Sequence, residues 1–408
     1  MTTTRQNEIL LRMPRVSSSA YRSQPIDPSL PTIKVSQILL LPSHRPGRRI
    51  RSTSLDPHPD KSFGDTIIQK HATTTRLFFQ NVKGLTNSTS GEDYRYYLSC
   101  LQSYEVDIAG LAETNTCWSH PHVCSDFRTS LRRQYRQSKV QFGSPTPEID
   151  PCSPSATFLS GGSLTLVTGG LVPCINGAIN LSDVSGLGRW SGISLTGKDR
   201  TCLSIITAYR ICSGSPRTAP LGSAFLREYE YYRSQRNGNA NPRHEFLNDL
   251  SHLLHRLQDS GHMIILMIDA NATIDTDQKL ESFVQSCDLH DLHQQDPSPS
   301  TYIGAPSRRI DYIFGCGSVR QYVARSGTLA YSEGPQSDHR GLYVDLRIDD
   351  IFSHNTSKIL SPSSRSLHTG NPEHIERYHK SMIRYYTQHN MIQRIDQLYK
   401  DTFHVESE

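Results

Sequence analysis

The sequence predicts an α/β fold whose chemistry gathers where strands leave the core, and three observations predict it. Met263-Ile-Ile-Leu-Met-Ile268 is an unbroken apolar run that reads as a strand buried on both faces; it ends in Asp269, with Asn271 just beyond. Arg76–Val82, Asp93–Tyr104 and Val106–Glu113 read as strand, helix and strand, a unit of the length that gives a parallel pair with a crossover. Other strand ends also carry reactive polar groups, and ligands of α/β proteins collect at that edge.

A chain of 408 residues exceeds one typical domain, although large α/β units reach roughly 250 residues as a single core. Hydrophobic content of 35% and a mean hydropathy of −0.51 leave part of the chain without the means to pack. A net charge of +4 and a pI near 8.5 suit a polyanionic partner without requiring one. The 9 cysteines form no Cys-x-x-Cys pair, which disfavours a disulfide framework and a zinc site and favours a reduced, intracellular setting. No apolar run reaches membrane-spanning length, so no membrane partner is expected, and the N-terminus lacks the apolar core of a signal peptide. Sequons such as Asn87-Ser-Thr89 therefore carry no meaning.

Residues 1–72 are rich in Ser, Pro and Arg, with Arg45, Arg48, Arg49 and Arg51 clustered. This segment reads as a disordered tail; a basic arm for nucleic acid or nuclear import, and a transit peptide, are the alternatives. A core domain is expected over 73–350. Its helix 93–104 places Tyr97, Leu98, Leu101 and Tyr104 on one face. A polar stretch follows, with a helix at 126–136 and a Pro-rich loop at 144–154. Strands are expected at 162–168, 192–195 and 201–209, the last ending in Tyr209 with Arg210 next. Helices over 224–236 and 244–257 come next; Gly261 ends the second as a left-handed cap. Beyond the central strand, a short helix at 279–287 and strands at 310–314 and 341–346 complete the core. A Ser-rich linker (351–371) leads to one helical tail over 372–400.

Asn81, Glu113, Tyr209, Asp269 with Asn271, Asp311, and Asp338 with His339 thus sit at strand ends or in flanking loops. Each alone has a bland reading, since an Asp after a strand is most often a turn former. Their recurrence at strand ends suggests more. Glu113 and the aspartates are hard oxygen donors suited to Mg²⁺ or Mn²⁺, and Asn81 can add an uncharged oxygen. Asp269 is suited to take a proton from water, and Asp311 is available to hold and polarise His339. Asn271 and Tyr209 can donate to charge growing on a phosphoryl oxygen. Such parts describe metal-assisted attack of water on a phosphate ester.

Gln80-Asn81-Val-Lys-Gly-Leu85, Ala112-Glu113-Thr114, Ile268-Asp269-Ala-Asn271, Arg309-Ile-Asp311-Tyr-Ile and Ser337-Asp338-His339 resemble, in order, the motifs of the endonuclease/exonuclease/phosphatase superfamily. The resemblance runs from about residue 74 to 348. It implies a four-layered α/β sandwich, two mixed sheets face to face with helices outside. It also implies that Asn81 and Glu113 serve the metal, Asp269 activates the nucleophile and Asn271 orients it. Asp311 would orient His339 at the phosphate, with Asp338 near metal and phosphate. Gly188-Arg-Trp190, Thr207-Ala-Tyr209-Arg210, Asn241-Pro-Arg243 and Thr301-Tyr302 look like the non-LTR retrotransposon branch, with Thr301 as a phosphate contact. Where relatives carry a Pro-Asn pair after the tyrosine, Arg210-Ile-Cys212 stands, which offers Arg210 as another phosphate contact.

The function expected is a divalent-metal phosphodiesterase nicking DNA, intracellular and nuclear, with a retroelement reverse transcriptase as its expected associate, although no such polymerase follows in this chain. The alternatives are a relative acting on lipid or inositol phosphates, and an inactive relic that binds nucleic acid.

Overall fold

The computed structural model describes residues 64–85, 92–146, 149, 158–197, 199–236, 240–293, 299–304, 307–333, 335–352 and 372–403. Residues 1–63, 353–371 of the linker expected at 351–371 and most of the Pro-rich loop expected at 144–154 lie outside them, while Ile351 and Phe352, at the start of that expected linker, are buried in the core.

In chain order the core elements are β1 (Thr75–Asn81), α1 (Glu92–Ser103), β2 (Ile108–Ala112), α2 (Pro121–Gln134), β3 (Ser138–Gly143), β4 (Ser163–Thr168), β5 (Trp190–Thr196), β6 (Cys202–Tyr209), α3 (Ala224–Arg236), α4 (Pro242–Asp259), β7 (His262–Asp269), α5 (Gln278–Ser286), β8 (Leu289–Asp291), β9 (Asp311–Cys316), α6 (Gly317–Arg320), β10 (Val323–Thr328), β11 (Leu342–Leu346) and α7 (Ile348–Ile351). They form two mixed sheets, a 6-stranded one in the order β10-β11-β1-β2-β4-β3 and a 5-stranded one in the order β5-β6-β7-β9-β8. The expected parallel pair is β1 with β2, joined by α1, and β6 with β7 is a second.

Side-chain alternation sets the layers. In β1, Phe78 faces out toward Tyr94, Leu98, Leu101 and Phe127 of α1 and α2, while Leu77 and Phe79 turn inward to the second sheet. On the far side Phe246, Leu250, Leu254 and Leu257 of α4 cover β7 and its neighbours. The sheets approach closely at Gly110, where a Cβ would stand 2.5 Å from Met267 Cε and 2.6 Å from Thr207 Oγ1. A larger residue there would have to push the layers apart. Thr165 Oγ1 donates across this interface to Thr207 Oγ1 at 2.8 Å, so the few hydroxyls between the sheets satisfy one another.

Several expectations need adjustment. The polar 116–160 stretch contains β3, and β8 and β10 are further strands that short, weakly apolar runs did not reveal. α2 starts earlier than expected, at Pro121, whose fixed φ suits the first turn. Contact with the core begins before residue 73, because Asp65 N donates to Thr328 O at 2.7 Å and Asp65 Oδ2 accepts from Thr328 N at 2.8 Å. The tail is two helices, α8 (Pro372–Gln388) and α9 (Met391–Phe403). Asn390 between them is left-handed at φ 50, a conformation that asparagine tolerates at a helix end. No helix among the described residues is long and apolar enough to cross a membrane.

Candidate active site

Strand register assembles half of the site. Tyr209 pairs with Asp269 across β6 and β7, and Asp269 pairs with Asp311 across β7 and β9. Three adjacent strands therefore present a phenol and two carboxylates in one row. The second half comes from the other sheet, where Asn81 closes β1 opposite Ala112 and Glu113 leaves β2 with a left-handed φ of 50. Asn81 joins the halves: its Nδ2 donates to Asp269 Oδ2 at 2.7 Å and to Glu113 Oε2 at 2.8 Å. Its Oδ1 accepts from Lys83 N at 2.9 Å, so the amide oxygen expected to face a metal is engaged with the backbone of the next turn.

Asp269 is fully buried. Its Oδ1 accepts from Asn271 N at 2.9 Å, and Asn271 Nδ2 reaches its Oδ2 at 3.2 Å. Asn271 is left-handed at φ 47, the turn that folds its amide back on the carboxylate. Burial, and then the neighbouring Asp311 charge, push the Asp269 carboxyl up to about 7, against the pull of His339 and the hydrogen bonds. The carboxyl therefore changes charge near neutral pH.

Asp311 and His339 form a pair, His339 Nδ1 lying 2.8 Å from Asp311 Oδ2. Burial alone would lower the imidazole; the Asp311 charge and hydrogen bond outweigh it and raise His339 to about 10. The ring is thus an imidazolium at neutral pH, with Nδ1–H donating to Asp311. Ser337 positions its backbone by donating to Asn81 O at 2.7 Å and accepting from His339 N at 3.1 Å. Gln80 Nε2 donates to His339 O at 3.0 Å. The Tyr302 ring packs against the imidazole, centroids 5.0 Å apart.

Asp269, Asp311 and His339 each offer a ligand atom, all within 4.8 Å of one another, and all three are buried. The compact, metal-sized group is therefore the set assigned to catalysis from sequence, while Asn81, Glu113 and Asp338 flank it. Tyr209 is nearly buried, and burial, with Glu113, Cys212 and Asp269 nearby, holds its phenol far above the ordinary range. It stays a neutral donor. Asp338 is not open to the cleft on both oxygens: Oδ2 accepts from Lys83 Nζ at 2.6 Å.

Two expected phosphate contacts lie elsewhere. Thr301 is fully buried, and its Oγ1 accepts from Ile310 N at 3.0 Å and Asp311 N at 3.1 Å. It holds the backbone that carries Asp311. Arg210 is also fully buried, its Nη1 on Asp277 Oδ2 at 2.8 Å and Ala270 O at 3.4 Å. It clamps the loop after Asp269, because a guanidinium forced inside by β6 must find acceptors there. For both, sequence adjacency to reactive groups did not tell which way the side chain turns.

Sequence reasoning missed Lys83, Ser337, Asn115 and Cys212. Asn115 Oδ1 accepts from Gly161 N at 2.8 Å, and its Nδ2 lies 3.4 Å from Glu113 Oε1. The exposed Cys212 donates from Sγ to Asn271 Oδ1 at 3.0 Å. Position two residues from Asn81 or Glu113, or one before Asp338, was the available signal for three of them.

No family model matches the sequence, and no curated protein does. Solved structures similar to this chain include an AP endonuclease, LMAP, from Leishmania major, with a TM-score of 0.47 and 16% identity over 67% of this chain and 88% of that one. An endonuclease/exonuclease/phosphatase family protein from Leptotrichia buccalis gives 0.43 and 13%, over 67% and 99%. The endonuclease domain of TRAS1, a telomere-specific non-LTR retrotransposon, gives 0.41 and 12%, over 67% and 98%.

Proposed function

We propose that the chain is a divalent-metal phosphodiesterase of the endonuclease/exonuclease/phosphatase type that hydrolyses DNA, in the form of a retroelement-type nicking endonuclease. One observation carries the reading: buried Asp269, Asp311 and His339 converge within 4.8 Å, and Asn81 ties Asp269 to Glu113 on the facing sheet. The donor set suits a hard cation, since it is mostly carboxylate oxygen, and Asp311 Oδ1 is buried without a hydrogen-bond partner. Glu113, Asp269 and Asp311 would hold Mg²⁺ or Mn²⁺. When bound, the ion would polarise the phosphoryl group and make water a stronger acid.

In this reading Asp269 takes the proton from the attacking water, its carboxylate aimed by Asn271 and Asn81. Asp311 keeps His339 charged and oriented, so the imidazolium donates to a phosphoryl oxygen as negative charge grows there. Tyr209 adds a neutral hydroxyl donor. DNA as the polyanion is supported by the basic balance of the chain and by the retroelement-like segments around Trp190, Tyr209 and Arg243. A nuclear location and association with a reverse transcriptase are consequences of the same reading, to be checked by imaging and co-purification of the full chain.

The test is supercoiled-plasmid nicking by the full chain with Mg²⁺ or Mn²⁺, with and without EDTA, beside phosphate release from phosphoinositides. Open circles that vanish with EDTA are expected. Phosphate release without nicking would replace DNA by lipid or inositol phosphates. DNA binding with neither activity would leave a relic.

A further inference from the structure

Lys83 lies in the turn that leaves β1, with a left-handed φ of 49. A non-glycine residue there carries strain that its surroundings must offset. Two bonds hold it: its N–H donates to Asn81 Oδ1 at 2.9 Å, and its Nζ donates to Asp338 Oδ2 at 2.6 Å. The side chain is 63% exposed, so nothing packs the ammonium into place; the Asp338 carboxylate draws it across the mouth of the site. Asp338 itself is fixed, because Ile303 N donates to its backbone oxygen at 3.0 Å. Its other carboxylate oxygen, Oδ1, is buried with no hydrogen-bond partner.

Without the ammonium, Asp338 would present both carboxylate oxygens as open hard donors next to His339. An ammonium has three N–H donors, so the bond to Asp338 leaves two for another acceptor.

We propose that Lys83 takes the place of a second divalent ion at Asp338: the site holds one Mg²⁺ or Mn²⁺, and the Lys83 ammonium, held out by Asp338, binds a non-bridging oxygen of the phosphodiester. This rests on the phosphodiesterase reading above and adds a phosphate-binding residue and a metal count to it. No bond is made or broken at Lys83; its contribution is a fixed positive charge in place of a mobile one.

The experiment uses the full chain with Mn²⁺ alone, counted by calorimetry or by the spin resonance of free Mn²⁺, followed by plasmid nicking. One equivalent is expected for the wild type and for Lys83→Arg, and two for Lys83→Met. In nicking, Lys83→Met should lose on the order of a hundredfold in kcat, the usual cost of one oriented donor, while Lys83→Arg keeps most of the rate. Two equivalents on the wild type would overturn the inference. So would a Lys83→Met protein that binds one ion and nicks at the wild-type rate. If the wild type binds Mn²⁺ but cleaves no phosphodiester, the functional reading falls, and the ion counts for wild type and Lys83→Met still decide whether Lys83 replaces a cation.

Discussion

The two sheets bring unlike edges to the same cleft. On the 5-stranded side Asp269 and Asp311 are fully buried, and Asp269 is gripped on both oxygens by Asn271 and Asn81. On the 6-stranded side Glu113, Lys83 and Asp338 are partly or largely exposed, and Glu113 has one short donor, Asn81, and one long one, Asn115. Under the proposed reaction, the difference is a division of labour. Burial and rigid register shift protonation and hold it, which a base and a charged histidine need. An open edge with unspent acceptors and a reachable ammonium is what a metal and a phosphate can approach.

Breaking the buried edge should have the largest effect. Asp269→Ala should lower kcat by about 10³–10⁴ under the proposed reaction, since a base and an oriented metal donor go together. Folding should hold, because a costly buried carboxylate is removed; thermal unfolding and plasmid nicking check both. Residual nicking equal to wild type would mean a contaminating nuclease.

Asp311→Asn comes next. With His339 at about 10 and Asp269 at about 7, the wild-type rate should climb as pH rises through about 7, where Asp269 loses its proton, and fall through about 10, where His339 does. Without the Asp311 charge the alkaline limb should move down toward the ordinary imidazole range, with a kcat loss of roughly 10²–10³. An unmoved alkaline limb would detach His339 from the profile. Bound metal would pull the acid limb lower, so the two limbs should respond differently to Mn²⁺ concentration.

On the open edge, Glu113→Gln should weaken Mn²⁺ binding by about 10–100-fold with little change in stability. Unchanged affinity would move the metal wholly onto Asp269 and Asp311. The smallest effect belongs to the support of the buried edge. Thr301→Val leaves two backbone N–H groups without their acceptor and should cost about 1–3 kcal/mol in denaturant unfolding. A larger loss in substrate affinity than in stability would restore Thr301 as a phosphate contact.

Much of this was legible from the chain. Apolar runs ending in a carboxylate, amide or phenol mark β1, β2, β6 and β7 and their polar ends, because a strand buried on both faces admits few polar groups before it leaves the core. The edge strands β3, β8 and β10 were not legible, since an edge needs only one apolar face and pairs by backbone bonds that any residue supplies.

The sequence by itself determined which groups are present and that they sit at strand ends: Asn81, Glu113, Tyr209, Asp269, Asn271, Asp311 and His339. Apolar patterning is a local property, and it survives folding. Only the tertiary structure decided which of their neighbours face the cleft. Register lined up Tyr209, Asp269 and Asp311, and sheet packing let one amide, Asn81, join carboxylates from two sheets. Burial turned Thr301 and Arg210 inward as supports, while a left-handed turn swung Lys83 out onto Asp338. These outcomes depend on contacts between residues as much as 255 positions apart, which no local pattern encodes.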